Sequence, residues 1–133
     1  MKPSLQPGLE TTRRFTVDAA RVTRHLGEGM GVYATPAMVR DIEMTCRDFL
    51  LEHLDPGEDS VGTRVDVQHL AATPENLEVT VTARIAAVDR RAVTFEVVVR
   101  DPFDEVGRCT HTRFVVDLAK HKERLAAKIA KAR

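Results

Sequence analysis

Thr35-Pro36-Ala37-Met38-Val39-Arg40-Asp41-Ile42-Glu43-Met44-Thr45-Cys46-Arg47-Asp48-Phe49-Leu50-Leu51, closed off by Asp55-Pro56-Gly57, is the stretch whose reading decides the fold. Val39, Ile42, Cys46, Phe49, Leu50 and His53 recur at helical spacing and make one apolar stripe, while Arg40, Asp41, Arg47, Asp48 and Glu52 fall on the opposite face. Thr35 suits the N-cap, because its hydroxyl can accept from a first-turn N–H, and Pro36 suits the first helical position, where a missing N–H costs nothing. Asp55-Pro56-Gly57 ends the helix, since proline cannot continue it and glycine accepts the turn.

Downstream the apolar period shortens from 3.6 to 2. In 61–72, Val61, Thr63, Val65, Val67, His69 and Ala71 share one face of a strand. In 77–87, Leu77, Val79, Val81, Ala83 and Ile85 alternate with polar residues, and Pro74-Glu75-Asn76 turns between these two strands. Val93, Phe95, Val97 and Val99 form a third strand, reached through Asp89-Arg90-Arg91 and stopped by Asp101-Pro102, and 105–117 forms a fourth. Upstream, short strands are expected at Arg14–Val17 and Arg21–Arg24, with a loop marked by Gly27, Gly29 and Gly31. Leu118–Arg133 reads as a basic terminal helix with Leu118, Leu125 and Ile129 on its thin apolar side. One helix beside four hairpin-linked strands is an α+β plan, and a curved sheet around the helix is its simplest packing. Such a sheet leaves an edge strand with which a second copy can pair. Residues 1–11 are expected to be a flexible lead-in and 12–133 a single domain.

The 133 residues suit one domain with a core of its own. Lys+Arg and Asp+Glu both total 20, and this neutral balance argues against a general nucleic-acid binder. The absence of Trp and the single Tyr leave little to stack on bases. The two cysteines, Cys46 and Cys109, have neither metal-ligand nor disulfide-framework spacing, and both sit among apolar residues. Reduced core thiols, no apolar leader and no long apolar run point to the cytoplasm, with no membrane, metal or cofactor expected.

Three residues could carry chemistry. Glu43 lies at the edge of the apolar stripe, where burial raises a carboxyl pKa unless a cation compensates. It could equally snorkel to water or pair with Arg47 one turn on. His69 occupies an inward slot between Val67 and Ala71, as a general acid or base or as a core histidine satisfied by a carbonyl. Thr35 is either a cap or a hydroxyl set beside helix N–H groups that favour a developing oxyanion. Gly62 marks a bulge or a close ligand approach, and His111 is read as structural. Six cations against Glu123 in the terminal helix could meet the phosphates of a nucleotide-bearing substrate or simply face water.

Taken together, these pieces resemble a known family. Arg24-His25-Leu26, Val32-Tyr33-Ala34-Thr35, Glu43 and Cys46, Gly62-Thr63, Val67 to Pro74, Val79 to Ala83, and Gly107 with Thr110-His111 are similar to the fluoroacetyl-CoA thioesterase group over roughly residues 12–120. The resemblance implies the hot-dog fold, in which a curved antiparallel sheet wraps a central helix. It implies hydrolysis of a short- or medium-chain acyl-CoA, with Thr35, Glu43 and His69 as the catalytic set and Gly62 and Tyr33 against the substrate. It also implies a homodimer, or a dimer of dimers, with sites at the subunit interface. The loop from Leu26 to Tyr33 is shorter here than in the fluoroacetyl-specific enzyme, and Pro36 stands where that group has Gly. Fluorine discrimination by an aromatic lid is therefore not carried over. The competing expectation is a non-catalytic acyl-CoA sensor on the same fold.

Overall fold

The computed structural model describes all residues, Met1–Arg133. Its elements run β1 (Glu10–Thr16), β2 (Val22–Thr23), β3 (Val32–Tyr33), α1 (Thr35–Leu51), β4 (Glu58–His69), β5 (Glu78–Asp89), β6 (Ala92–Arg100), β7 (Glu105–Asp117) and α2 (Leu118–Lys131). The main sheet is antiparallel in the order β1-β5-β6-β7-β4, and β2 and β3 form a separate ribbon. Two tight turns pass through positive φ: one at Asn76 before β5, a residue type that tolerates it, and one at Arg90 between β5 and β6. No helix is long and apolar enough to cross a membrane.

The inward rows of the sheet are the expected ones in β5 and β6. Val79, Val81, Ala83 and Ile85 alternate with polar residues, as do Val93, Phe95, Val97 and Val99, and both rows are buried. They close on Met38, Ile42, Cys46 and Leu50, spaced four apart along α1. The helix is therefore rotated from the expected stripe: Val39 and Phe49 are only half-buried, whereas Asp41 and Thr45, one of them assigned to the solvent face, are buried.

That rotation has a polar cause. The Asp41 carboxylate accepts from Arg21 Nε at 2.9 Å and Nη2 at 3.0 Å, and from the Tyr33 hydroxyl. Thr45 donates back to the Asp41 carbonyl at 2.7 Å. The β2–β3 ribbon, with the 3₁₀ turn Ala19–Arg21 before it, thus covers a helix face that periodicity alone leaves in water. The guanidinium of Arg21 also lies over the Phe15 ring, 5.0 Å from its centroid, which ties β1 to the same point.

Three further expectations are corrected. Thr35 is not the N-cap: Ala34 holds that position without a side-chain cap, which leaves the Thr35 hydroxyl free for another partner. The inward row of β4 does not run unbroken from Val61, because the register with β7 shifts between Gly62 and Arg64. This bulge turns Ser60 and Gly62 inward ahead of Thr63, so that Val61 lies opposite the half-exposed Phe114 on the outer face. The lead-in is also not loose. Leu5 is buried, Lys2 N donates to His53 O at 2.9 Å, Gly8 N donates to Ile85 O at 2.8 Å, and β1 starts at Glu10 rather than Arg14.

The Asp41 cluster should carry measurable stability. Asp41→Ala strands a partly buried guanidinium and a buried phenol and is expected to lower unfolding free energy by about 3 kcal/mol. Asp48→Ala removes only surface ion pairs, with Arg13 and more distantly with Arg47, and should cost less than about 1 kcal/mol. Urea denaturation of both variants tests the contrast, and equal losses would show that the Asp41 cluster is not an anchor.

Candidate active site

Two groups of polar side chains face the ends of β4. At the C-terminal end, His69 is the last residue of the strand and Thr35 the first of α1. Thr35 Oγ1 and His69 Nδ1 lie 2.8 Å apart, so the hydroxyl freed from capping is hydrogen-bonded to the imidazole. The other ring nitrogen, His69 Nε2, is buried and has no hydrogen-bond partner. Buried polar atoms are nearly always paired, so an unpaired nitrogen on a ring that lines a cavity marks this imidazole as a candidate for function. Burial pushes the His69 pKa below its usual value, with the Ala71 backbone opposing the shift, so the ring favours its neutral form.

The cavity beside this pair has a volume of about 430 Å³ and is lined by Val32, Tyr33, Thr35, His69, Leu70 and Ala71 among others. Tyr33 is 1 % exposed and its hydroxyl is committed to Asp41. It therefore meets the cavity as an apolar ring, edge-on to His69 at 6.2 Å between centroids. First-turn N–H groups of a helix have no intrahelical partner, and Thr35 and Ala37 bring theirs to this end while Pro36 has none. The preceding loop, Arg24 to Val32, contains no Phe, Tyr or Trp, and its Leu26 and Met30 are exposed.

Glu43 stands at the other end. Eight residues of helix separate it from Thr35, about 12 Å along the axis. It lines a different cavity, of about 230 Å³, with Pro36, Val39, Arg40, Met44 and Arg113. Arg47, expected as its partner, instead holds Asp59 with two hydrogen bonds. The cation beside Glu43 is Arg113, at 3.5 Å. Gly62 lies against the same carboxylate: a Cβ there would come within 2.7 Å of Glu43 Oε2. Thus Thr35 meets His69, Gly62 meets Glu43, and within one protomer the two pairs do not share a cavity.

Arg113 is the residue that the sequence reading missed. It is 5 % exposed and donates from Nε to Ser60 Oγ at 2.7 Å and from Nη2 to Ser60 O at 2.9 Å. Its Nη1 lies 3.2 Å from His111 Nε2. A guanidinium only donates, so His111 Nε2 accepts, and the ring proton sits on Nδ1 and donates to Arg64 O at 2.7 Å. Burial lowers the pKa of His111, in keeping with this neutral tautomer. His111 is thus structural, as expected, but its task is to hold the arginine that faces Glu43. Burial also draws the Arg113 pKa down, opposed chiefly by Glu43. The available signal was the alternation of Cys109, His111, Arg113 and Val115, which places a cation on the inward face of β7.

Comparisons with known proteins agree with this architecture. A family model described as fluoroacetyl-CoA-specific thioesterase matches residues 17–119. The fluoroacetyl-CoA thioesterase of Streptantibioticus cattleyicolor is 37% identical over 135 residues, spanning 96% of this chain and 97% of its own. A solved structure of a fluoroacetyl-CoA thioesterase superposes with a TM-score of 0.85 at 36% identity, covering 94% of this chain and 98% of its own. A hot-dog-like protein from Thermanaerovibrio acidaminovorans shares the fold, with a TM-score of 0.85 at 21% identity over 96% of this chain and 93% of its own. The chain belongs to the fluoroacetyl-CoA-specific thioesterase family and has the hot-dog fold.

Proposed function

We propose that this protein hydrolyses short- or medium-chain acyl-coenzyme A thioesters to the free acid and coenzyme A, in a site built from Thr35 and His69 of one protomer and Glu43 of the partner subunit. The observation that carries the reading is the Thr35–His69 hydrogen bond at the wall of an apolar-lined cavity, with Nε2 of the same imidazole unpaired. Family membership supplies the reaction class. Free, buried Cys46 and Cys109, whose thiols burial pushes up (Cys109 to about 11), support a reducing, cytoplasmic setting.

Edge geometry supports the shared site. β4 is an outer strand of the sheet, and its residues Gly62 to Asp66 are exposed. Val65 and Met44 add exposed apolar surface, at 38% and 37%. An unpaired edge of this length invites a second strand. A two-fold axis through the middle of β4 pairs two copies antiparallel and exchanges the ends of the strand. Glu43, held beside Gly62 at one end, then faces the partner's Thr35–His69 cavity at the other.

In that arrangement the Thr35 hydroxyl and the helix-end N–H groups polarise the thioester carbonyl. Two routes are open to Glu43: it takes a proton from water as the water oxygen bonds to the carbonyl carbon, or its carboxylate bonds to that carbon and water later releases the acid. In the first route the C–S bond breaks as the proton taken by Glu43 passes through the imidazole to the leaving sulfur; in the second the sulfur leaves as a thiolate when the acyl bond to Glu43 forms, and a proton of the water that later releases the acid reaches it through the imidazole. The loop from Arg24 to Val32 offers no aromatic lid, which supports generic acyl chains over fluoroacetyl selectivity.

Thiol release from a panel of acyl-CoAs tests the activity. Glu43→Gln should lower kcat at least about 100-fold, since a positioned base contributes about 10²–10⁴-fold. Near-normal turnover by that variant, or acyl-CoA binding without thiol release by the unaltered protein, would refute the mechanism. Mixing Glu43→Gln with His69→Ala tests the shared site. Random exchange makes half of the dimers mixed, each with one intact site, so activity should recover to about a quarter of the unaltered level. No recovery despite proven exchange would place all three groups in one protomer.

The imidazole also fixes a pH dependence. Because burial disfavours the charged ring, its proton leaves below pH 6.5, the ordinary value. An NMR titration of His69 should have its midpoint below 6.5, and the acid limb of kcat/KM due to this group should likewise have its midpoint below that pH. A midpoint at or above 6.5 would contradict the assigned environment.

A further inference from the structure

We propose that the root of α2 is a binding site for the 3′-phosphoadenosine end of coenzyme A, serving the thioester bound at the neighbouring protomer. The inference rests on the thioesterase reading for its substrate. α2 touches the domain only at its start and has no buried residue. Lys120, Arg124, Lys128 and Lys131 are spaced four, four and three apart, which stacks four cations on one face. Glu123 is the only acid in the helix and lies off that face. Where the face meets the sheet, a cavity of about 130 Å³ is lined by Arg91, Phe114, Asp117, Lys120, His121 and Arg124, with Val115 and Val116 behind them.

These residues match the chemistry of one ligand class. Phe114 is a large apolar ring left 43% exposed on the outer face of β7, a surface on which a base can stack. Arg91, Lys120 and Arg124 are donors for phosphate oxygens around it. Asp117, the one carboxylate of the cavity, is occupied in accepting from the Lys120 backbone N–H at 3.0 Å, where it caps the helix. Arg91 shares itself with Glu58 at 3.7 Å and with the Val115 carbonyl, so Lys120 and Arg124 are the uncommitted cations. A flat aromatic with phosphates on both sides is the adenosine bisphosphate portion of coenzyme A. A lipid headgroup has no ring to place on Phe114.

Position links the patch to the reaction. α2 begins at the Glu58 end of β4, where Glu58 pairs with Asp117 and Leu118 N donates to Gly57 O at 2.9 Å. That is the end that carries Glu43. In the two-fold pair it lies beside the partner's Thr35–His69 cavity, so a thioester held there sends its nucleotide towards this helix.

The test is the double variant Lys120→Ala/Arg124→Ala, two exposed positions outside the catalytic set, assayed with an acyl-CoA and with the matching acyl-pantetheine thioester, which lacks the nucleotide. KM for acyl-CoA should rise about ten-fold or more, as expected for lost charge-assisted phosphate contacts. Its kcat, and both parameters for acyl-pantetheine, should stay unchanged. Adenosine 3′,5′-bisphosphate, titrated calorimetrically, should bind the unaltered protein and bind the variant at least about ten-fold more weakly. Equal KM changes for both thioesters, an unchanged KM for acyl-CoA, or no nucleotide binding would overturn the site. So would loss of binding to anionic vesicles in the variant with nucleotide affinity intact, which would assign the helix to a membrane surface. The calorimetric arm needs no turnover, so failure of the thioesterase reading would show separately as absence of thiol release.

Discussion

A buried carboxylate sets the geometry of this protein. Asp41 sits on a helix face that water would otherwise claim, and desolvating it is unfavourable unless cations and donors surround it. Arg21 and the Tyr33 hydroxyl do so, and both come from the segment that precedes the helix. The pairing therefore folds the β2–β3 ribbon over the start of α1 and fixes where Tyr33 ends. Thr35 follows two residues later, and the Tyr33 amide donates to Thr73 O at 2.8 Å, which draws in the chain just after β4. Thr35 and His69 are held together by the same ribbon. A polar cluster set apart from them thus decides that a hydroxyl and an imidazole can meet.

The parts legible in the sequence were those governed by one period and one signal. β7 begins at Glu105 and ends at Asp117 as the alternation indicates, and β5 and β6 bury the expected rows. What periodicity could not show were places where a second interaction outweighs it. Asp41 reads as a surface residue because its partner Arg21 is twenty positions away. Thr35 reads as a cap because cap and first-turn positions differ by a single residue, and only the backbone at Ala34 decides between them. The β4 bulge moves Val61 off the inward face, since one extra residue reverses a two-residue period. The reading of Thr35, Glu43 and His69 as one set rests on their joint resemblance to a family. Arg113 was missed because an arginine in a mixed strand does not reveal that it will be buried.

The two ends of the site differ in how their polar groups are satisfied. Around Glu43 the network is closed: Arg64 O accepts from His111, His111 accepts from Arg113, and Arg113 holds Ser60 and faces the carboxylate. Closed buried networks give a fixed geometry, and this one aims an acid that remains 39% exposed. Around His69 the network is open at Nε2. A closed frame for one group and an open valence on another fits the proposed division, in which Glu43 is oriented and His69 exchanges a proton. Gly62 belongs to the closed side, because a side chain there would occupy the space of the Glu43 carboxylate.

In the proposed shared site, the placement of these ends makes assembly part of the chemistry. A single copy separates them by two turns of helix, too far for groups that must act within about 3–3.5 Å of one carbonyl. Bending the helix to close that gap would break the row Met38, Ile42, Cys46 and Leu50 that packs the core. The pairing proposed along β4 would close it without disturbing either protomer, because a two-fold axis exchanges the ends of the strand it crosses. The same operation would bring α2, rooted beside Glu58, towards the other copy's cavity. In the proposed assembly, an edge strand that would be a hazard in a monomer is the element along which the proposed reacting groups and the basic helix converge.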